Sequence, residues 1–371
     1  MDKATTLLLE LLKKELWGTE VPLKLTCEEL VAVMRLAQEH TVTALAAQPV
    51  IEKKAVLYTS DKSDILRKKK ALSLLAEAVT THRLQYMRFQ VLLCKFAALM
   101  DSGKIPYFVF KGVPIAVRYP HPYLRTMGDV DFYVPPTDFH RANDFIRKNL
   151  GVDIEEDHTD KHHAFTWQGI RFEMHFQVET FGRQKHQRLF NDWMDKCAAD
   201  EITGCDLLGQ SVRTLPPEKE MIVVFKHLFN HLLVEGVGLR QVVDFAVLLN
   251  SYHSTADIAA LRRDLSLIGY LKAFDAFVAI AVNYLGLPSG DRYASLSARS
   301  RQWGDQLFAA VISSGNFGRK AHRHSTDNWK KSLETAGLAF RHCMTFAPLF
   351  MPDAPMFIFR RIGISLRKNI K

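Results

Sequence analysis

The sequence predicts an α+β protein: a mixed sheet with helices, flanked on both sides by helical regions. Three observations carry this. Apolar residues recur at helical spacing through about the first hundred residues. Between Ile105 and Val178 the pattern changes to short β-rich runs, some alternating strictly. From Leu215 onward the helical spacing returns. The borders divide the chain into an N-terminal helical region (1–100), a central β-rich unit (101–214) and a C-terminal helical domain (215–371).

In the first region Leu7, Leu8, Leu11, Leu12 and Leu16 form one helical stripe, and the region reads as helical throughout. Thr26-Cys27-Glu28-Glu29 marks a helix start, with Thr26 as cap and acids in the first turn. Arg67 to Lys70 is a basic run on a solvated face. It opens a long helix whose apolar positions include Leu74, Leu84, Met87, Phe89, Leu92, Leu93 and Phe96, and Gly103 stops it.

The centre opens with Ile105-Pro106-Tyr107-Phe108-Val109-Phe110, a compact β-rich run that turns at Lys111-Gly112 into a short helix. Then comes the most informative stretch, Gly128-Asp129-Val130-Asp131-Phe132-Tyr133-Val134. Strand side chains alternate, so Asp129 and Asp131 share a face while Val130 and Phe132 point into a core. Adjacent carboxylates repel, and a divalent cation is the usual compensation. Gln168-Gly169 reads as a hairpin turn leading into Ile170–Val178. There Ile170, Phe172, Met174 and Phe176 face one way, and Arg171, Glu173 and His175 the other. His158, His162 and His163 read as a solvated cluster in a turn. In the last region Met221 to Val234 is an apolar helix carrying His227 and His231, and Leu239 starts the next.

The bulk properties narrow the class. With 371 residues, 47% apolar and 24% charged, the chain is globular, not disordered or collagen-like. A net charge of +9 fits either anionic partners or solubility alone. Five scattered cysteines without a CxxC pair argue for reduced thiols and against a zinc knuckle. Neither a signal-peptide pattern nor a membrane-length apolar run is present, so a cytoplasmic protein without stable membrane insertion is expected.

These residues suit nucleotidyl transfer. Two metal ions about 4 Å apart can clamp attacking and leaving oxygens, and they need carboxylates on rigid neighbouring strands. Asp129 and Asp131 would bridge both ions, with Glu173 as third ligand and as acceptor of the attacking hydroxyl's proton. Lys111, Gly112, Gly128 and Arg125 would steady the triphosphate. Arg125 could equally pair with Asp129 or a carbonyl. His227 and His231 share a helix face, as core residues or a metal pair would. Arg240 and Asp244 are spaced as a helix ion pair, or as a grip on base or acceptor. His175 and His231 could likewise support the substrate.

Tyr107 to Ala116, Tyr119-Pro120, Arg125 and the Gly128–Val134 strand together resemble the signature of the uncharacterised bacterial nucleotidyltransferase family, within the DNA polymerase β-like superfamily. Phe172-Glu173-Met174-His175-Phe176 resembles that family's later acid-x-His strand, and Val224 to Leu249 its following helical region. The resemblance runs over roughly residues 25 to 350 and is strongest from 105 to 178. It implies a polymerase β-like core, Mg²⁺ or Mn²⁺ (two ions), an NTP substrate and pyrophosphate release. Lys111-Gly112-Val113 departs from the superfamily's Gly-Gly or Gly-Ser. The acceptor is unnamed: small molecule, sugar, RNA or protein. Two other readings stand beside it. One is a catalytically silent nucleotide-sensing or interaction module. The other is an RNA-binding protein using the basic Arg319–Lys331 segment.

Overall fold

The computed structural model describes residues 1–20, 22–58, 63–156, 162–200, 204–288, 292–293, 296–315 and 328–358. The chain starts with α1 (Lys3–Trp17), β1 (Leu23–Leu25), α2 (Cys27–Glu39), α3 (Thr43–Ile51), β2 (Ala55–Leu57) and the long α4 (Ser63–Ser102). Thr26 caps α2 as expected. Its hydroxyl accepts from the Glu29 amide at 3.2 Å, and Glu29 reaches back to the Thr26 amide at 2.8 Å. The all-helical expectation fails at β1 and β2, which pair in parallel. Three-residue strands are too short to leave an alternation in the sequence.

On α4 the expected apolar stripe narrows. Phe89, Leu92, Leu93 and Phe96 are buried, whereas Leu74, Leu84 and Met87 are exposed. Over that C-terminal half, the helix meets the sheet along one line only, and Phe96 is central there, with Phe132 at 4.7 Å and Phe172 at 5.0 Å between ring centroids.

The central unit holds β3 (Phe108–Phe110), α5 (Gly112–Ala116), β4 (Val130–Tyr133), α6 (Phe139–Leu150), β5 (Glu155–Glu156), β6 (His162–Trp167) and β7 (Ile170–His175). The five strands form one mixed sheet in the order β3-β4-β7-β6-β5. Among the described strands β4 and β7 pair in parallel, and that register sets Asp131 opposite Glu173. The hairpin between β6 and β7 turns at Gln168 and Gly169, both with positive φ (48° and 73°), as a two-residue primed turn needs. Next come α7 (Gln184–Ala199) and a hairpin of β8 (Gly204–Leu207) and β9 (Gln210–Arg213). The remainder is helical: α8 (Pro217–Val234), α9 (Leu239–Ser251), α10 (Ile258–Leu267), α11 (Leu271–Asn283), α12 (Ala298–Ser314) and α13 (Asn328–Phe346).

The two faces of the sheet enter different cores. Val109, Val130, Phe132, Phe172 and Met174 pack with α4 and α6. Phe108, Phe110 and Tyr133 join a larger core that runs through α1 to α3 and α8 to α11. No helix among the described residues is long and apolar enough to cross a membrane. All five cysteines are free thiols. His158, and the 319–327 part of the basic segment, lie outside the described residues.

Candidate active site

Along β4 and β7 the polar residues face the helical half. A cavity of about 680 Å³ opens there, floored by the sheet and walled by α8 and α9. Lys111, Gly112, Arg125, Gly128, Asp129, Asp131, Glu173, His175, His231, Arg240 and Asp244 all border it. The residues singled out in the sequence are therefore brought together, though several in other pairings than expected.

Asp129 lies in the turn just before β4, not within the strand, and is half-buried. Burial, with the Asp131 charge beside it, pushes its carboxyl up. Asp131 is buried on the strand itself. Burial opposes its charge, but Lys111 and a hydrogen bond from His175 outweigh that and hold it well below the usual carboxylate range. Lys111 Nζ stands 3.6 Å from Asp131 Oδ2. His175 Nε2 donates to Asp131 Oδ1 at 2.8 Å, and burial keeps that imidazole neutral by lowering its pKa.

Lys111 reaches this position through a costly backbone. Its φ of 59° and ψ of −152° fall in a region adopted almost only by glycine, at a cost of roughly 1–3 kcal/mol. Gly112 follows at φ 49°, close to the Asp129 carbonyl: a Cβ there would sit 3.6 Å from it. The double left-handed step swings the lysine over the acid pair at the end of β3.

Arg125 does not pair with Asp129; it donates from Nη1 to the Thr126 carbonyl at 3.4 Å, and its main partner is one the sequence did not mark for it. It is buried and bidentate on Asp244, with Nε to Oδ1 and Nη2 to Oδ2 both at 2.8 Å, and Tyr119 donates to the same carboxylate at 2.5 Å. This corrects the Arg240–Asp244 helix pair as well. Asp244 is occupied across the cleft, and Arg240 instead donates from Nη1 to the Thr126 carbonyl at 3.3 Å. Arg240 Nε is buried without a hydrogen-bond partner among the described residues. Burial and the neighbouring Arg125 disfavour its charge.

On α8, His227 Nδ1 lies 3.1 Å from Glu179 Oε1, and His231 Nδ1 lies 3.3 Å from Glu235 Oε2. Their rings are 4.2 Å apart. Burial, Lys111 and His231 push His227 down to about 3, so it is neutral. Each histidine has a carboxylate partner, and they are not the bare metal pair that the helix face allowed.

Sequence reasoning missed His162, placed in a solvated turn with His163. Both lie on β6. His163 is turned into the opposite core against Asn143, and His162 borders the cavity beside Glu173. The signal was present: the Gln168-Gly169 turn fixes Trp167 opposite Ile170, and counting back puts His162 opposite His175. Glu179, Asn230 and Gln241 also border the cavity, and no sequence pattern marked them.

An α+β chain with a mixed sheet and an acid-lined cleft between sheet and helices falls in the class of the nucleotidyltransferases. The profile of the family described as uncharacterised nucleotidyltransferase matches residues 27–286, well over half of the chain, and the chain belongs to that family. Among solved structures it is similar to the antibiotic-resistance factor ANT(2″)-Ia, at 12% identity over 49% of this chain and 90% of that one, with a TM-score of 0.35. It is also similar to an antigenic nucleotidyltransferase-like protein from Paracoccidioides brasiliensis, at 13% identity over 48% of this chain and 85% of that one, with a TM-score of 0.33. No curated protein matches the chain.

Proposed function

We propose that the protein transfers a nucleoside monophosphate from an NTP to an acceptor hydroxyl or phosphate, releasing pyrophosphate. The observation that carries this is the β4–β7 register, which sets Glu173 directly across from Asp131, with Asp129 in the adjoining turn. Neighbouring strands lie about 4.8 Å apart, so three carboxylates converge at one edge of the cavity. The donor set fits divalent cations: hard oxygens, partly buried, with Lys111 as the one ammonium at ion-pair distance among the described residues. Asp129, Asp131 and Glu173 would hold the metal, Mg²⁺ or Mn²⁺. Bound there, it would neutralise charge on the reacting phosphate oxygens.

The remaining roles belong to side chains already in place. Lys111 and Arg240 both present positive charge to the cavity, and an anionic phosphate chain would satisfy the Arg240 Nε. Arg125 does not reach for phosphate in this reading. Its bond to Asp244 holds the Thr126–Gly128 turn, and so Asp129, against α9. Asn230 and His231 of α8, with Glu179 from the loop after β7, border the same cavity and would receive the acceptor.

The test is pyrophosphate release and calorimetric NTP binding by the full chain with Mg²⁺, compared with Asp129→Ala and Asp131→Ala. Metal-dependent NTP binding in the wild type, lost in both variants, is expected. Equal binding in all three, without metal dependence, would sink the reading.

A further inference from the structure

The polar face of β6 and β7 carries a group of donors unlike the hard-oxygen set beside it. His162, Glu173 and His175 each offer one atom, and the three atoms lie within 4.8 Å of one another. His162 Nε2 is 3.6 Å from Glu173 Oε2, and His175 Nε2 is 3.8 Å from the same oxygen. Ligand atoms about 2.1 Å from a tetrahedral ion stand about 3.4 Å from each other, so the present spacing needs little contraction to close on one. Asp131 Oδ1 accepts from His175 Nε2 at 2.8 Å and stands outside that group of three.

We infer that His162, His175 and Glu173 form a mixed nitrogen–oxygen site for a borderline first-row cation such as Zn²⁺ or Co²⁺, in preference to Mg²⁺. Three features support a built site. The donors are fixed by backbone register: His162 pairs with His175 across β6–β7, and Glu173 pairs with Asp131 across β7–β4. Glu173 is already oriented, because Arg171 Nε donates to its other oxygen, Oε1, at 3.2 Å, leaving Oε2 to face the two imidazoles. The chemistry is selective: imidazole nitrogen suits Zn²⁺, Co²⁺ and their neighbours, whereas Mg²⁺ takes oxygen. On binding, the ion replaces the hydrogen of the His175–Asp131 bond. The displaced Nε2 proton leaves to solvent as the ring passes to its Nδ1–H tautomer, and because Nδ1 is buried with no hydrogen-bond partner among the described residues, the bonds to the ion must outweigh that unsatisfied donor.

The site borders the nucleotide cavity, but its argument does not rest on nucleotidyl transfer. It assigns Glu173 Oε2 to this ion, which withdraws Glu173 as a ligand of the Mg²⁺ or Mn²⁺ of the proposed reaction and as acceptor of the attacking hydroxyl's proton, and leaves that metal to Asp129 and Asp131. It also predicts that the two ion positions of this cleft differ in kind.

The experiment is titration of metal-free full-length protein with Co²⁺, followed by visible absorption, with Zn²⁺ competition and calorimetry as second readouts and no nucleotide present. One equivalent should bind, Zn²⁺ should displace it, and millimolar Mg²⁺ should not. His162→Ala and His162→Gln should each weaken Co²⁺ binding by at least about tenfold, as expected for loss of a ligand. His162 is half-buried, so both variants should keep the wild-type circular dichroism and melting behaviour. Asp129→Ala should retain the Co²⁺ signal even where it abolishes NTP binding, which separates this site from the proposed reaction. Unchanged Co²⁺ affinity in the folded His162 variants would overturn the inference, as would Mg²⁺ displacing Co²⁺ at equal concentration.

Discussion

Glu15 lies inside the packing of α1, with both carboxylate oxygens buried and lacking hydrogen bonds among the described residues. Burial pushes it from 4.5 up to about 7, with Lys54 only partly opposing. A carboxyl with a raised folded pKa binds its proton more tightly in the native state than in the unfolded chain. Its contribution is therefore neutral below the unfolded value near 4.5. It then turns unfavourable as pH rises towards 7, and stays so above. Glu15→Gln should remove that penalty. Chemical denaturation should show the variant and wild type nearly equal at pH 4.5, with the variant more stable by roughly 3 kcal/mol at pH 8. A constant difference across that range would contradict it. At this scale much of the site was legible. Asp129, Asp131, Lys111 and Glu173 announce themselves because short-range rules, alternation and strand-to-helix turns, place them. Arg125 and Asp244 were visible, but their partnership was not. They are 119 positions apart, and only the docking of α9 on the turn before β4 joins them.

At the scale of elements, that same pair ties α9 to the sheet. Arg125 and Asp244 are both nearly fully buried, so each neutralises a charge that could not otherwise stay there. Asp244→Ala should cost about 3–5 kcal/mol, because it strands a buried guanidinium. Arg125→Met combined with Asp244→Leu should recover most of that loss while still disturbing the site. Denaturant midpoints of the single and double variants check this, and a double variant as unstable as the single would refute it. The strand pairing was readable to the extent that turns specified it. The Gln168-Gly169 hairpin fixes β6 against β7, whereas the parallel β4–β7 pairing depends on a crossover through α6 that no local signal encodes. β1 and β2 left no trace because three residues cannot show a period.

For the whole molecule, changes of period predict three parts with borders at 100 and 214, and the core runs across both positions. Phe108, Phe110 and Tyr133 belong to the same cluster as Leu8 and Leu12 of α1 and Phe225 and Phe229 of α8. The full chain should therefore unfold in one main calorimetric transition, and a fragment of residues 101–214 alone should show no cooperative melt. A fragment that melts cooperatively near the temperature of the full chain would disprove this. The two-faced sheet also bears on descent. A catalytic unit whose floor doubles as another region's ceiling cannot be cut out and fused to a new recognition module, as free-standing domains can. On the proposed function, new acceptors would have to be acquired by altering residues on α8 and α9 in place. Lineages of this chain should then diverge along the helical wall while keeping the same outline, instead of gaining or losing whole appendages.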